Sequence, residues 1–290
     1  MRLLVTGSHG QVGTELMARL DRRDDVEATG VDIDTCDLAD RGSAHDLVRA
    51  ERPDVIIHCA AFTAVDRCEA EPETAFRANA LATRYLAEGA REVGAHVVYV
   101  STDYVFDGSK GTPYVEWDLP SPRSVYGLSK LGGERELDPA WTIARTSWVC
   151  SAHGSNMVKT VLRLAGERET LSFVDDQVGH PTFAGDLAAT LIALGEARAA
   201  GVHHVTNSGE VSWYGFVRAI MEAAGHDPDR VLPVSTTDFL AARPADAPPM
   251  AERPAYSVLD NLALRAGGFA EMRDFREPLG EVVAALAAAG

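Results

Sequence analysis

The chain has 290 residues, enough for one large domain or two coupled ones with a substantial buried core. Its 43 acidic and 27 basic side chains give a formal net charge of −16, which disfavours nonspecific binding to nucleic acids or to anionic membranes. No apolar run reaches about 18 residues and the chain begins without a signal-peptide pattern, so we expect a cytoplasmic protein.

The first half of the chain alternates short β-branched runs with longer amphipathic segments, which is typical of parallel strands joined by crossover helices. The predicted strands are Arg2–Thr6, Glu27–Val31, Val55–His58, His96–Ser101 and Trp141–Arg145. The predicted helices cover approximately Gln11–Asp21, Ser43–Glu51, Glu73–Val93 and Val125–Glu136. This α/β order predicts a Rossmann-type, doubly wound parallel sheet that forms a dinucleotide-binding domain over residues 1–148.

From residue 149 onward the pattern is less regular. Helices are predicted at Asn156–Ala165, Gly185–Ala197 and Trp213–Ala224, with Gly- and Pro-containing loops between them. The stretch Ala241–Pro254 is rich in alanine and proline and predicts an extended loop. We interpret residues 149–290 as a smaller substrate-binding region, some segments of which return to the main sheet.

Three glycines, Gly7, Gly10 and Gly13, stand between the first strand and the first helix. Glycine lets backbone N–H groups approach a dinucleotide pyrophosphate, and the helix dipole favours an anion at this point. The G-x-x-G-x-x-G spacing is a weak signal by itself, and a tight turn without a ligand is the alternative. The strand–turn–helix context favours a phosphate cradle.

The second strand leads into Asp32, about twenty residues beyond the glycines. A carboxylate at this place can accept hydrogen bonds from the adenosine ribose hydroxyls, and its negative charge favours NADH over NADPH. Asp34 and Asp37 follow closely, so the identity of the acid stays open. The alternative is a solvated turn without a ligand.

Tyr126 and Lys130 stand four residues apart in a predicted helix, so one helical turn places the phenol and the ammonium on the same face. Chance predicts only about 0.07 such spacings for the seven tyrosines and three lysines of this chain. A nearby cation stabilises a phenolate, so we expect Lys130 to lower the pKa of Tyr126 toward the working range of a proton shuttle.

Ligands bind at the carboxyl ends of parallel strands, and three of the predicted strands are followed by residues suited to binding a substrate or a cofactor. Thr102 follows one strand, where its hydroxyl can hydrogen-bond a substrate carbonyl. Another strand leads into the small residues Ala60 and Ala61, followed by Phe62 and Thr63, which would admit a cofactor backbone closely. A third leads to Trp148, whose indole is suited to packing on a sugar or a base.

The four cysteines are scattered, with no pair at the spacing of a metal knuckle or a redox motif. We therefore expect reduced, mostly structural thiols and no metal centre.

Together these residues resemble the extended short-chain dehydrogenase/reductase family, and within it the dTDP-4-dehydrorhamnose reductases, over essentially the whole chain. The segments that carry the resemblance are Gly10–Gly13, Ala60–Asp66, Ser101–Phe106, Tyr126 with Lys130, Arg145–Val149, Asp176–Thr182 and Arg253–Leu259. His180 and Tyr256 depart from the family's usual residues, which affects the expected sugar specificity more than the reaction type.

The resemblance implies an NADPH- or NADH-dependent oxidoreductase that reduces the 4-keto group of dTDP-4-dehydro-6-deoxy-L-mannose. Tyr126 would deliver the proton, Lys130 would also bind the nicotinamide ribose, and Thr102 would hold the carbonyl oxygen. The implied cofactor-binding residues are Gly10, Gln11, Val12, Asp32, Asp37, Leu38, Ala61, Phe62, Thr63 and Asn79. The implied substrate-binding residues are Thr102, Asp103, Tyr104 and Trp148, with Thr63 and Val65 nearby.

Two alternatives stay open. A nucleotide-sugar epimerase or dehydratase shares the glycine turn and the Tyr/Lys pair, but the dehydratase's Asp-Glu pair is missing because Asp103 is followed by Tyr104. A non-catalytic regulatory subunit of the same fold, as in methionine adenosyltransferase, is the other. The expected partner is a nucleotide sugar, and the oligomeric state is open, with a homodimer among the candidates.

Overall fold

The computed structural model describes residues 1–244 and 246–289. Its strands are, in chain order, β1 (Arg2–Thr6), β2 (Glu27–Val31), β3 (Val55–His58), β4 (His96–Thr102), β5 (Thr142–Thr146), β6 (Val149–Cys150), β7 (Leu171–Val174), β8 (Val178–Gly179), β9 (Thr182–Phe183), β10 (Gly201–His204), β11 (Val211–Ser212) and β12 (Val231–Val234). Its helices are α1 (Gln11–Leu20), α2 (Arg41–Glu51), α3 (Val65–Ala70), α4 (Pro72–Phe76), α5 (Ala82–Val93), α6 (Val125–Glu134), α7 (Met157–Glu167), α8 (Ala184–Glu196), α9 (Trp213–Ala223), α10 (Thr236–Ala241), α11 (Leu262–Ala266) and α12 (Arg276–Ala289).

The main sheet has six strands in the order β10-β5-β4-β3-β1-β2, and every neighbouring pair is parallel. The first three strands have the predicted bounds, whereas β4 is one residue longer and β5 begins and ends one residue later than predicted. The strand order reverses direction between β1 and β3, which is where ligands bind in doubly wound sheets. The predicted Rossmann-type α/β fold is confirmed.

Alternate side chains of each strand pack on opposite faces of the sheet. Leu3 and Val5 of β1 lie in a core with α1 and α8. Leu4, between them, lies in a second core with α2 and α5. Helices therefore cover both faces of the sheet, which explains why its strands are almost continuously apolar.

The second half of the chain contributes to two hydrophobic cores. Its strand β10 pairs with β5 at the edge of the main sheet, and α8 packs on the face that α1 also covers. A separate core around Phe183, Phe216 and Phe275 joins α7, α9 and α12. Strand β10 was not among the predicted strands because it ends in two histidines, His203 and His204, which give no apolar alternation. The domain boundary between residues 148 and 149 stays a prediction.

Two features of the helices differ from the prediction. The prediction of one regular helix over Glu73–Val93 is wrong. The helical segment is interrupted by a π-helical turn, Arg77–Leu81, which joins α4 to α5. Helix α3 and the helices from α10 onward were not predicted. Within residues 1–244 and 246–289, no helix combines the length and the apolar character needed to span a bilayer.

Candidate active site

The turn between β1 and α1 is built so tightly that Gly7 and Gly13 have no room for a Cβ. Gly7 has a φ of +71°, and a Cβ there would lie 2.7 Å from the backbone nitrogen of Ala60. A Cβ on Gly13 would lie 2.1 Å from the carbonyl oxygen of Gly7, whereas Gly10 is exposed at the N-cap of α1. These glycines therefore form a bare backbone cradle at a helix N-terminus, which fits a dinucleotide pyrophosphate.

The first residues of α1 point away from this cradle. Val12 is buried in the core between α1 and the sheet. The Gln11 amide accepts a hydrogen bond from Asn156 Nδ2 at 2.8 Å and donates one to the carbonyl of Val149 at 3.3 Å. The side chain of Gln11 thus ties the glycine turn to the second half of the chain, and only the main chain of these two residues is left for the cradle.

Asp32 is fixed beside the glycine turn. Its Oδ2 accepts the backbone N–H of His9 at 2.9 Å, and its Oδ1 accepts the N–H of Ile33 at 2.8 Å. A ring nitrogen of His9 and one carboxylate oxygen each of Asp32 and Asp34 lie within 4.8 Å of one another. Asp37 instead accepts the N–H of Ala39 within its own exposed turn. The structure therefore places Asp32 and Asp34 at the turn.

Asn79 links two parts of the site through the π-helical turn. Its Oδ1 accepts the N–H of Phe62 at 2.7 Å, and its Nδ2 donates to the Phe62 carbonyl at 3.1 Å. The same Nδ2 donates to Ser129 Oγ at 2.9 Å, and Ser129 Oγ donates to the carbonyl of Tyr126. Asn79 therefore joins the loop after β3 to helix α6, and it does so from a helix irregularity of the kind that often marks functional sites.

Tyr126 lies near the start of α6, close to the end of β4. Its ring packs edge-on against Tyr104 at 5.6 Å between centroids. Burial raises the pKa of Tyr126, and the neighbouring Thr102 hydroxyl acts in the opposite direction. The expectation that Lys130 lowers this pKa is wrong for the chain alone, because loss of hydration around the phenolate dominates.

Lys130 is almost completely buried one helical turn after Tyr126, with 2% of its surface exposed. Its Nζ lies 4.0 Å from the centroid of the Tyr99 ring, a cation–π contact. Burial lowers the pKa of Lys130 to about 7, although the charge of Glu134 acts in the opposite direction. Its charge is therefore poised to change near neutral pH.

Thr102 ends β4 and faces Tyr126 from the sheet. Its hydroxyl donates to Asp103 Oδ1 at 3.0 Å and accepts the N–H of Tyr104 at 3.2 Å. Asp103 lies behind Thr102 with 1% of its surface exposed, so its side chain supports Thr102 instead of facing a substrate. Tyr104 is half-buried beside Tyr126.

Trp148 follows β5 in a left-handed backbone conformation, with a φ of +46° that is unusual for a bulky residue. Its indole stacks on Trp213 with centroids 3.6 Å apart and planes 10° apart. A Cβ on Gly179 would lie 2.8 Å from the same indole. Trp148 is thus held from two sides by the second half of the chain.

Comparisons with known proteins agree with this geometry. A family model described as the RmlD substrate binding domain matches residues 1–288. A dTDP-4-dehydrorhamnose reductase of Streptomyces griseus is 41% identical over 98% of this chain and 94% of its own length. The chain belongs to the dTDP-4-dehydrorhamnose reductase family.

Solved structures of the dTDP-4-dehydrorhamnose reductase family have the same fold. The protein of Clostridium acetobutylicum is 37% identical with a TM-score of 0.92, covering 99% of this chain and all of the other. That of Bacillus anthracis, in complex with NADP, is 37% identical with a TM-score of 0.91, covering 98% of this chain and 99% of the other. The family resemblance found in the sequence is confirmed.

In this member of the dTDP-4-dehydrorhamnose reductase family, most predicted site residues gather at the carboxyl edge of the sheet. Thr63 is exposed in the loop after β3, and Val65 is half-buried at the start of α3. Leu38 is an exception, because its side chain is buried in the core with α2 and α5. The role of each residue toward a ligand stays a prediction.

The structure adds supporting residues that sequence reasoning missed. Arg145 and Glu134 form a buried ion pair at 2.7 Å, and Ser101 Oγ donates to the same Glu134 at 2.5 Å. This network fixes the ends of β4 and β5 against α6. Ser129 and Trp213 were also missed, because a lone serine or tryptophan carries no motif that separates it from ordinary packing.

Proposed function

We propose that this chain reduces the 4-keto group of dTDP-4-dehydro-6-deoxy-L-mannose to give dTDP-L-rhamnose, with NADH or NADPH as the reductant. The observation that carries the proposal is the meeting of Thr102 and Tyr126 at the end of β4, with Lys130 one turn further along α6. Membership of the dTDP-4-dehydrorhamnose reductase family supports the choice of this sugar nucleotide as the substrate. The close approach of backbone atoms at Gly7 and Gly13 supports binding of the coenzyme at this turn.

Tyr126 is the proton donor in this proposal. When bound, a reduced nicotinamide supplies a hydride to the ketone carbon. Tyr126 gives its phenolic proton to the developing alkoxide oxygen, and its raised pKa keeps it protonated at neutral pH before the reaction. Positioned acids of this kind contribute about 10²- to 10⁴-fold to the rate.

Thr102 and Lys130 position the reacting groups around Tyr126. The hydroxyl of Thr102 stands beside Tyr126, where its proton turns from Asp103 to the carbonyl oxygen and holds that oxygen within reach of the phenolic proton. Lys130 binds the nicotinamide ribose and places a cation near the phenolate left after proton transfer. A binding partner for the ammonium favours its protonated form, which burial in the chain alone disfavours.

Asp32 favours NADH as the coenzyme. Its carboxylate and that of Asp34 face the place where the adenosine ribose would lie, and the Nδ1 of His9 lies 3.7 Å from Asp34 Oδ1. A 2′-phosphate there would meet two like charges, whereas ribose hydroxyls can donate to Asp32. The Bacillus anthracis relative was solved with NADP, so this preference would separate the two proteins.

The test is to follow oxidation of NADH and of NADPH with dTDP-4-dehydro-6-deoxy-L-mannose made in place by the upstream enzymes. We expect stoichiometric consumption of reductant, with a higher kcat/KM for NADH. An epimerase retains its coenzyme, so sugar conversion without consumption would contradict the reductase. No conversion with either coenzyme would favour the regulatory subunit. The dehydratase is already disfavoured because Asp103 is buried and hydrogen-bonded by two hydroxyls.

A further inference from the structure

The segment between Ala251 and Asp260 crosses the active-site edge of the sheet. Arg253 forms an ion pair with Asp66 at 3.0 Å, next to the loop after β3. Further along, the N–H of Ser257 donates to the carbonyl of Val178 at 2.8 Å, and Leu259 lies in a small core with Phe106. Backbone bonds on both sides of Ser257 therefore fix it in place.

The side chain of Ser257 points at the machinery around Thr102. Its Oγ donates to Asp103 Oδ2 at 2.6 Å, while Thr102 Oγ1 donates to the other oxygen of the same carboxylate at 3.0 Å. Ser257 and Asp103 each have 1% of their surface exposed. The buried carboxylate of Asp103 thus accepts hydrogen bonds from two hydroxyls, and one of these belongs to Thr102, which faces Tyr126.

A threonine hydroxyl carries a single proton, so its partners decide in which direction it donates. Burial raises the pKa of Asp103 to about 6, and hydrogen bonds from Ser257 and Thr102 oppose that rise and favour the ionised form. An ionised Asp103 can only accept, so it holds the Thr102 hydroxyl in one rotamer until a substrate carbonyl takes over the same proton. Without Ser257 one buried carboxylate oxygen loses its donor, which leaves Asp103 free to rotate or to take up a proton.

We propose that Ser257 is a positioning residue, which holds the carboxylate of Asp103 so that Asp103 in turn orients the hydroxyl of Thr102 beside Tyr126. The proposal rests on the proposed reductase function. It assigns a role to the Arg253–Leu259 segment, which carried the family resemblance without an explanation in the sequence. Through Ser257, the C-terminal part of the chain completes the arrangement at the end of β4.

Thr142 provides the control. It is also buried, and its hydroxyl donates to the carbonyl of Ala199 at the amino end of β5, away from the edge of the sheet that carries Thr102. We expect both Ser257→Ala and Thr142→Val to lower the melting temperature. Only Ser257→Ala should lower kcat, by about 10-fold, with the KM of the coenzyme unchanged. Ser257→Thr, which keeps the hydroxyl, should restore most of the lost kcat.

A double-mutant cycle tests whether Ser257 acts through Asp103. In an Asp103→Asn background, Ser257→Ala should change kcat by less than about 2-fold, because the bond it removes has already been altered. Full additivity would overturn the proposal, as would an unchanged kcat in Ser257→Ala or an equal loss of kcat in Thr142→Val. Should Ser257→Ala not fold, Ser257→Cys takes its place in the same cycle, because a thiol fills the position of the hydroxyl but is only a weak donor. A wild-type chain without turnover would count against the reductase function itself.

Discussion

The coenzyme side and the substrate side of the candidate active site are assembled over very different distances along the chain. On the coenzyme side, Asp32 contacts the glycine turn across 23 residues and Asn79 contacts Phe62 across 17. On the substrate side, Ser257 reaches Asp103 across 154 residues. Apart from the contacts of the Gln11 side chain with Val149 and Asn156, the coenzyme side is therefore a property of successive β–α units, whereas the substrate side forms only when the C-terminal half folds back onto the sheet.

The two sides should therefore differ in the amino-acid substitutions that they tolerate. The glycine turn is specified by sterics, because a Cβ at Gly7 would meet Ala60 and a Cβ at Gly13 would meet Gly7. The substrate side is held by pairwise contacts between distant segments, such as the stack of Trp148 on Trp213. Changes in the second half that leave the partners of Gln11 in place should thus alter sugar recognition and not coenzyme binding, and substitutions on each side test this separation.

The largest effect is expected where the two sides meet, at Tyr126. Tyr126→Phe removes the phenolic proton but keeps the ring packed against Tyr104, so the chain should fold normally. We expect kcat to fall by at least about 10²-fold with unchanged coenzyme affinity, measured by steady-state kinetics and by coenzyme fluorescence titration. Near-wild-type turnover would remove Tyr126 from its assigned role.

The next effect should appear on the coenzyme side alone. Gly13→Ala places a Cβ 2.1 Å from the carbonyl oxygen of Gly7, so the cradle must distort. We expect coenzyme affinity to fall by about 100-fold in a calorimetric titration, equivalent to about 2.7 kcal/mol.

Gly166 is the matched control for Gly13, because it is also a helical glycine but is exposed, and a Cβ there meets no atom within 4 Å. Gly166→Ala should leave coenzyme binding unchanged and stabilise α7 by about 0.5–1 kcal/mol. Equal effects of the two substitutions on coenzyme affinity would show that the cradle is not the binding site.

A smaller effect should be confined to the substrate side. Trp213→Ala removes the ring on which Trp148 stacks, and the unusual backbone conformation of Trp148 then loses a support. We expect the KM for the nucleotide sugar to rise by about 10-fold, with the coenzyme KM unchanged. The exciton signal of the stacked indoles should also disappear from the circular dichroism spectrum.

Trp117 offers the control for this substitution, because it is 71% exposed. Trp117→Ala should leave both KM values and the exciton signal as in the wild type. A rise in the coenzyme KM of Trp213→Ala would contradict the separation of the two sides.

The smallest effect concerns stability. Burial lowers the pKa of Lys130 from 10.5 to about 7, so between these pH values the unfolded chain binds more protons than the folded one. The free energy of unfolding therefore rises with pH across this window as far as Lys130 contributes. Lys130→Met should raise the melting temperature at pH 6 and lose this advantage toward pH 10. It should also impair turnover, which separates the stability of the chain from its function.

The sequence predicted the coenzyme side well because the physics there is local. Gly7 and Gly13 can be read as positions that exclude a side chain, and the carboxyl end of β2 marks Asp32. The strands β1 to β3 have their predicted bounds because β-branched, apolar runs between glycine- or acid-rich turns leave little ambiguity.

The substrate side could not be predicted to the same depth. Nothing near Ser257 in the sequence indicates that it meets Asp103, and the same holds for Trp213 and Trp148. The pKa of Tyr126 was also misjudged, because the spacing to Lys130 reveals a shared helix face but not the loss of hydration that burial imposes.

The π-helical turn at Arg77–Leu81 makes the residue count of its helix matter to catalysis. Such a turn holds one residue more than a regular α-helix, and here it presents Asn79 to the loop after β3 and to α6. Deletion of one residue from this turn would convert it into regular α-helix. The Asn79 amide would then move away from Phe62 and Ser129. Selection for a straighter, more stable helix and selection for a working site would then act in opposite directions on the presence of that residue.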